Sequence, residues 1–395
     1  MAQASSGSAA SAPAQTYKSD NIEHLCRMEL AGGGQIVIQG RHAFVGHQHG
    51  PEGTTILDIS DPRRPRMVSQ IMVPHPQAHS HKVRVVGDLM VVNSEVEPGK
   101  GERATFPDGG FRIYDIKDKA NPKLLSFTRT HARGVHRFDM DESHAYISTE
   151  MEGFAGNILV VYDIRNPVKP VEVSRWWMPG QNIAAGEAPH PKGRGHILHH
   201  AMRSGDQLYA GCWFSGIAII DVTDISRPRT LSHLAYDEGQ SEPTHTFLKV
   251  PFAIGGKSIA VSTEEERAKR GVDVGRPHGA LRTWDVSDAT RPKLLATYQV
   301  EEASQPYRGD AYRFGAHQLR EIVDADFMLY VTWFAAGLRL IDIKDPAAPV
   351  ECGYFIPKAA EGRNAPWTND VALDDRGLIY FTDKVCGLDV IENKA

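Results

Sequence analysis

The chain is poor in the features that mark several large protein classes. Its 395 residues hold four cysteines (Cys26, Cys212, Cys352 and Cys386) with no CxxC spacing. A disulfide-dense scaffold is therefore not expected, and reduced thiols are. Cys26 and Cys386 approach each other only if the two ends of the chain meet. No window reaches the ~18 consecutive apolar residues of a membrane span. The N-terminal MAQASSGSAASAPAQ lacks both the basic and the apolar stretch of a leader. Residues 1–20 read as a disordered tail on a cytoplasmic protein. A net charge of −5 gives no basic footprint for nucleic acid or an anionic membrane. A GxSxG elbow, a P-loop and a GxGxxG between strand and helix are all missing. Serine-triad hydrolysis and nucleotide chemistry rank low on that ground.

What the chain does have is a repeat. A strand ending in Asp, a turn carrying proline and a further strand recur as ILDISDPRRPRMV, IYDIKDKANPKLL, VYDIRNPVKPVEV, IIDVTDISRPRTL, TWDVSDATRPKLL and LIDIKDPAAPVEC, with GLDVIE as a truncated seventh copy. The anchoring residues Asp58, Asp115, Asp163, Asp221, Asp285, Asp342 and Asp389 lie 47 to 64 residues apart. Seven units of about fifty residues, rich in β-branched residues and almost free of 3.6-residue periodicity, describe the blades of a propeller. Each unit divides into four strands; in the second they are 81–86, 89–94, 110–116 and 123–128. The last unit stops after its third strand, and residues 21–30 can supply the fourth. The expectation is an all-β protein: one seven-bladed β-propeller over residues 21–395, closed by an N-terminal strand that completes the last blade. Closure removes two exposed sheet edges.

These units resemble the LVIVD repeat, whose name matches strands such as LVVYDI and IAIIDV and which is associated with β-propellers. The resemblance extends from about residue 30 onward and implies the fold, not one function. The last unit, TNDVALDDRGLIYFTD, is similar over that one blade to gluconolactonase and regucalcin-type propellers. There the resemblance implies a metal-ligating role for Asn369.

Aligned on the innermost strand, the units bring Gly34, His81, His136, His200, His245, His317 and Asn369 to one level around the axis, with His199 as the alternative to His200. Five imidazoles and one amide have the composition of a transition-metal site; Ca²⁺ or Mg²⁺ would take oxygen ligands. Any one such histidine can be a hydrogen-bonded channel filler. Five together favour a metal, because unliganded imidazoles repel when protonated and leave buried polar groups to satisfy. NSEVE, STEME and STEEE place Glu95, Glu150 and Glu264 in register at the ends of second strands, where carboxylates can orient the imidazoles. They are equally readable as solvated loop acids. Trp213, Trp333 and Phe334, with His199 and Arg133, are candidates for an aromatic pocket over the channel. Other histidines, in HQHG (His47, His49), PHPQAHSH (His75, His79) and PHPKGRGHILHH (His190, His196), are candidates for a substrate approach or a second metal, or are surface loop residues. Insertions at 97–107, 179–194, 265–277 and 303–315 suit a specificity-determining face.

The expected function is a metal-dependent enzyme, an oxidoreductase or oxygenase acting on a small organic substrate, with aromatic compounds among the candidates. Its metal is held by a subset of His81, His136, His200, His245 and His317, Fe(II) first and Cu or Zn next, with Glu95, Glu150 and Glu264 supporting. The same site with Zn or Mn would activate water for hydrolysis or lyase chemistry. Two other readings are a Ca²⁺ hydrolase led by Asn369 and Asp370, and a non-catalytic propeller that docks a protein partner.

Overall fold

The structure is a computed structural model and describes residues 16–188, 196–235, 243–265, 279–301, 313–363 and 365–395. Seven antiparallel sheets follow one another along the chain, each built by neighbouring strands in sequence order. In blades 1, 3, 4 and 5 the innermost strands are Gly33–Gln39, Val135–Met140, His200–Ser204 and Thr244–Ile254. In blade 2 that strand is split into Ala78–His79 and Val83–Val86, shorter than the 81–86 read from sequence. In blade 6 it is reduced, among the described residues, to a bridge between Leu319 and Val331. Blade 7 starts at Thr368–Leu373, and its outermost strand is Ile22–Ala31, antiparallel to Cys386–Asn393. The ring is closed by the N-terminal strand as the sequence implies. Cys26 faces Val390 and Cys386 faces Ala31, so the two cysteines lie on paired strands out of register.

Residues 1–15 of the expected tail lie outside the described residues. Tyr17 and Lys18, expected in that tail, pair with Ile356 and Phe355 on the outer edge of blade 6.

The repeated aspartates make the turns. Asp58, Asp115, Asp163, Asp221, Asp285 and Asp342 each accept the backbone N–H two residues on, at 2.6–3.0 Å. A second Asp or Asn three residues later does the same, as Asp61 does for Arg63. Two successive Asx turns reverse the chain without needing a glycine. Asp389 departs from this use: with no turn to make, its carboxylate meets His24 at 3.0 Å and Arg27 at 3.4 Å on the closing strand.

Apolar side chains alternate along the strands and fill the seams between blades. Leu159 and Val161 of blade 3 pack on Leu208, Ala218 and Ile220 of blade 4. The closing seam does likewise, with Val45 and Leu57 of blade 1 against Tyr380, Leu388 and Val390 of blade 7. Each such fully buried side chain contributes ~1.5–3 kcal/mol. Among the described residues no helix is long and apolar enough to cross a membrane.

Candidate metal centre

Side chains reach the axis because the inner strands break register there. Val135 opposes Thr149 and Arg137 opposes Ser148, which leaves His136 as an extra residue. His245 is the extra residue between Thr244 and Thr246 in blade 5, and Asn369 that between Thr368 and Asp370 in blade 7. A bulge of this kind re-aims the unpaired side chain. The same break turns the following residue inward too, so a second polar tier lies beside the first: Gln35, Lys82, Arg137, His200, Thr246, Gln318 and Asp370 are all buried.

Imidazoles run around the channel as an arc. Ring centroids are separated by 4.3 Å from His79 to His81, 5.3 Å from His81 to His136, 4.9 Å from His136 to His199, 4.2 Å from His199 to His245 and 4.0 Å from His245 to His317. They line a cavity of about 260 Å³ together with Glu95, Glu265, four cationic side chains, Trp213 and Trp367.

The fixed tautomers decide what this arc can bind. Nδ1 donates to the Gln48 carbonyl in His79 (2.9 Å), to the His245 carbonyl in His199 (2.7 Å) and to the Asn369 carbonyl in His317 (2.6 Å). In His136 it donates to Glu95 (3.0 Å). In His245 it donates to the Thr246 hydroxyl (2.9 Å), whose own proton goes to Gln318. Four of these imidazoles thus leave Nε2 without a carbonyl or carboxylate partner, whereas His79 Nε2 lies 3.1 Å from Glu95. His81 differs: the Asn93 amide donates to its Nδ1 at 3.2 Å. Burial holds the pKa of His81, His199, His245 and His317 well below the ordinary value, and neighbouring imidazoles or cations push the same way. Burial likewise takes His136 down to about 4, against the pull of Glu95.

Neutral imidazoles in these tautomers place two lone pairs face to face, His136 Nε2 and His199 Nε2 at 3.1 Å. Two acceptors at that distance need a cation between or beside them. Two groups of donor atoms are compact enough to hold an ion: His79, His81 and Glu95; and His245, Glu265 and His317.

Glu95 is the carboxylate hub. It is 1 % exposed, accepts from His136 and lies 3.1 Å from His79 Nε2. It also pairs with Arg133. Burial pushes its carboxyl up, but Arg133 and His136 outweigh that and hold it well below the usual carboxylate range.

Several candidate residues sit elsewhere than the alignment implies. His200 is not in the arc: Arg137 Nε donates to its Nδ1 at 3.1 Å in the second tier, and His199 faces the cavity. Glu150 touches no imidazole and accepts the Arg133 backbone N–H at 3.1 Å. Glu264 pairs with Arg282 at 3.0 Å, and its neighbour Glu265 lines the cavity, paired with Arg313. Asn369 gives its amide protons to Gly33 and Gly34 and acts on the site through its carbonyl. Trp333 is buried against Tyr298, and Phe334 occupies the place corresponding to Trp213. Asp370 is buried in the second tier and raised to about 7 by burial. His47 is tied to Ala31 and Thr55, and His49 to Glu97, while His190 lies outside the described residues. Insertion residues 189–194, 266–277 and 303–312 also lie outside them.

Two stretches of the chain, residues 33–73 and 326–356, match the LVIVD repeat. These LVIVD stretches are blade 1 and the outer strands of blade 6. No curated protein matches the chain. Among solved structures, the periplasmic gluconolactonase PpgL of Pseudomonas aeruginosa is similar with a TM-score of 0.60 at 14 % identity, over 86 % of this chain and 88 % of that one. The computationally designed Ika8 protein is similar with a TM-score of 0.54 at 10 % identity, over 93 % and 98 % of the two chains. A chain of the Mitotic Checkpoint Complex gives 0.57 at 10 % identity, over 99 % and 98 %. At these identities the likeness shows the fold alone.

Beside the LVIVD pattern a second signal was available for Glu265. Glu95 bridges Gly134 and Glu265 bridges Gly315; the following residues read Arg133-Gly-x-His136 and Arg313-x-Gly-x-His317. The Glu/Arg/His set is therefore built twice, three blades apart. Trp213 (φ 53°) and Phe334 (φ 45°) are left-handed non-glycine residues, each lying against an arc histidine, His199 at 5.0 Å and His317 at 4.3 Å. Such conformations cost ~1–3 kcal/mol and cluster at functional sites.

Proposed function

We propose that the protein is a transition-metal-dependent enzyme whose ion is held on the propeller axis by the compact donor group of His245, His317 and Glu265, with the facing Nε2 atoms of His136 and His199 beside it in the arc. The observation that carries this reading is the compact group of His245, Glu265 and His317 donor atoms, next to which two further free nitrogens, on His136 and His199, face each other at 3.1 Å. The donor chemistry fits: neutral imidazoles suit Fe, Cu or Zn. Bound there, such an ion would supply activation of O2 for an oxidative step on a small organic substrate.

The chain's own residues hold and shape the site. Glu95 and the carbonyls of His245 and Asn369 keep their protons on Nδ1 of His136, His199 and His317, which fixes ring orientation. Trp213 and Trp367 wall the cavity with aromatic surface. This supports an aromatic or otherwise planar small molecule as the partner. Metal analysis of protein purified without a histidine tag, beside the His136→Ala/His199→Ala/His245→Ala/His317→Ala variant, tests the reading. Near-stoichiometric Fe or Cu, lost in the variant, is expected, and O2 consumption then screens substrates. No metal in either protein after anaerobic Fe(II) reconstitution would overturn it.

A further inference from the structure

Charge around the cavity is unbalanced. Four cationic side chains line it: Lys82, Arg133, Arg313 and Lys384. The two arginines are neutralised by Glu95 and Glu265. The two lysines are not: neither makes an ion pair or hydrogen bond through its ammonium among the described residues. Lys82 is only 3 % exposed and lines the cavity. Its acidic neighbours belong to the second tier: Glu321 is already held by Arg84 and by Arg137 at 3.0 Å, and Asp370 makes no ion pair with Lys82. Lys384 lies over the Phe334 ring, its Nζ 5.4 Å from the centroid. An ammonium enclosed by protein without a counter-ion is destabilising. The walls therefore present two lysine amino groups that no carboxylate of the described residues pairs.

We propose that the cavity takes its ligand through an anionic group, the carboxylate or similar oxyanion of a small organic molecule, seated against Lys82 and Lys384. This names the substrate class of the proposed metal site, but its physical basis is the unpaired lysines rather than the ion. An anion there satisfies both ammonium groups, and Trp213 and Trp367 offer aromatic surface to the rest of the molecule.

Calorimetric titration with benzoate, acetate, inorganic phosphate and the neutral isostere benzamide tests this on chelator-treated and metal-loaded protein. An anion, benzoate foremost, is expected to bind at least roughly tenfold tighter than benzamide in both forms. Lys82→Met and Lys384→Met keep the aliphatic stem, and each should lower anion affinity on the order of tenfold while leaving benzamide binding unchanged and Tm no lower. Phosphate preferred over benzoate with the same lysine dependence supports an oxyanion site for an inorganic or phosphorylated ligand. Equal binding of benzoate and benzamide, no binding of any anion, or a preference untouched by both substitutions overturns the proposal. A preference that disappears on chelation and ignores the lysines also overturns it, while supporting the metal reading. Lysine-dependent binding in a protein that holds no metal leaves this proposal standing and removes the other.

Discussion

Replacing Glu95 by Gln removes one charge and almost no volume, and its consequences can be worked out from three contacts. The carboxylate is 1 % exposed and is shared by Arg133, His136 at 3.0 Å and His79 at 3.1 Å. Neutralising it leaves the Arg133 guanidinium without its counter-charge; breaking a buried pair in this way costs ~3–5 kcal/mol. For 395 residues at ~2.1 cal/mol/K each, the unfolding entropy is ~0.8 kcal/mol/K, so Tm falls by about 4–6 °C. His136 keeps at best a neutral amide oxygen where a carboxylate held its Nδ1 proton, and metal affinity falls by roughly 10–100-fold. Scanning calorimetry and competitive metal titration read the two effects separately. Glu150→Gln is the control, because an amide oxygen can still accept the Arg133 backbone N–H; its Tm should change by less than about 1 °C. A Glu95→Gln protein with wild-type Tm and wild-type metal affinity would refute the assignment of Glu95 as the hub.

Three further outcomes are expected. His199→Ala should lose metal, whereas His200→Ala should keep it and instead lose ~1–3 kcal/mol by leaving the Arg137 Nε–H unpaired, as metal analysis and denaturant unfolding of both variants would show. In metal-free protein the buried imidazoles have folded pKa values below the unfolded value, so their contribution is present above pH ~6.5 and is lost as pH falls towards 4, where the unfolded chain binds more protons. His136, lowered to about 4 with a side chain 25 % exposed, supplies on the order of 2 kcal/mol of this after allowance for solvent screening. Unfolding followed between pH 7 and 4 checks the sign, and stability that rises on acidification would refute it. Gly34→Ala would place a Cβ 2.3 Å from the His81 carbonyl oxygen. It should destabilise by ~1–3 kcal/mol and disturb the arc at His81, read as a lower Tm together with weaker metal retention.

The sequence by itself determined the number of blades, their boundaries and the closing strand, because each unit repeats the Asp-x-x-Asp/Asn turn and a period-two apolar pattern that only a sheet seam can bury. It also determined that histidines meet on one axis, since repetition turns equivalent positions into neighbours. Only the tertiary structure decided which residue of an adjacent pair faces the cavity. At His199 against His200, Glu265 against Glu264 and Phe334 against Trp333 the inner strands bulge or end, and a one-residue slip exchanges the two faces of a strand. Period-two reading has no means of placing that extra residue. The tautomers were likewise beyond the sequence, because the carbonyls of Gln48, His245 and Asn369 that fix them come from other blades or loops. The unpaired state of Lys82 also depends on which acids the second tier has already claimed, a matter of distances across the channel that no spacing along the chain encodes.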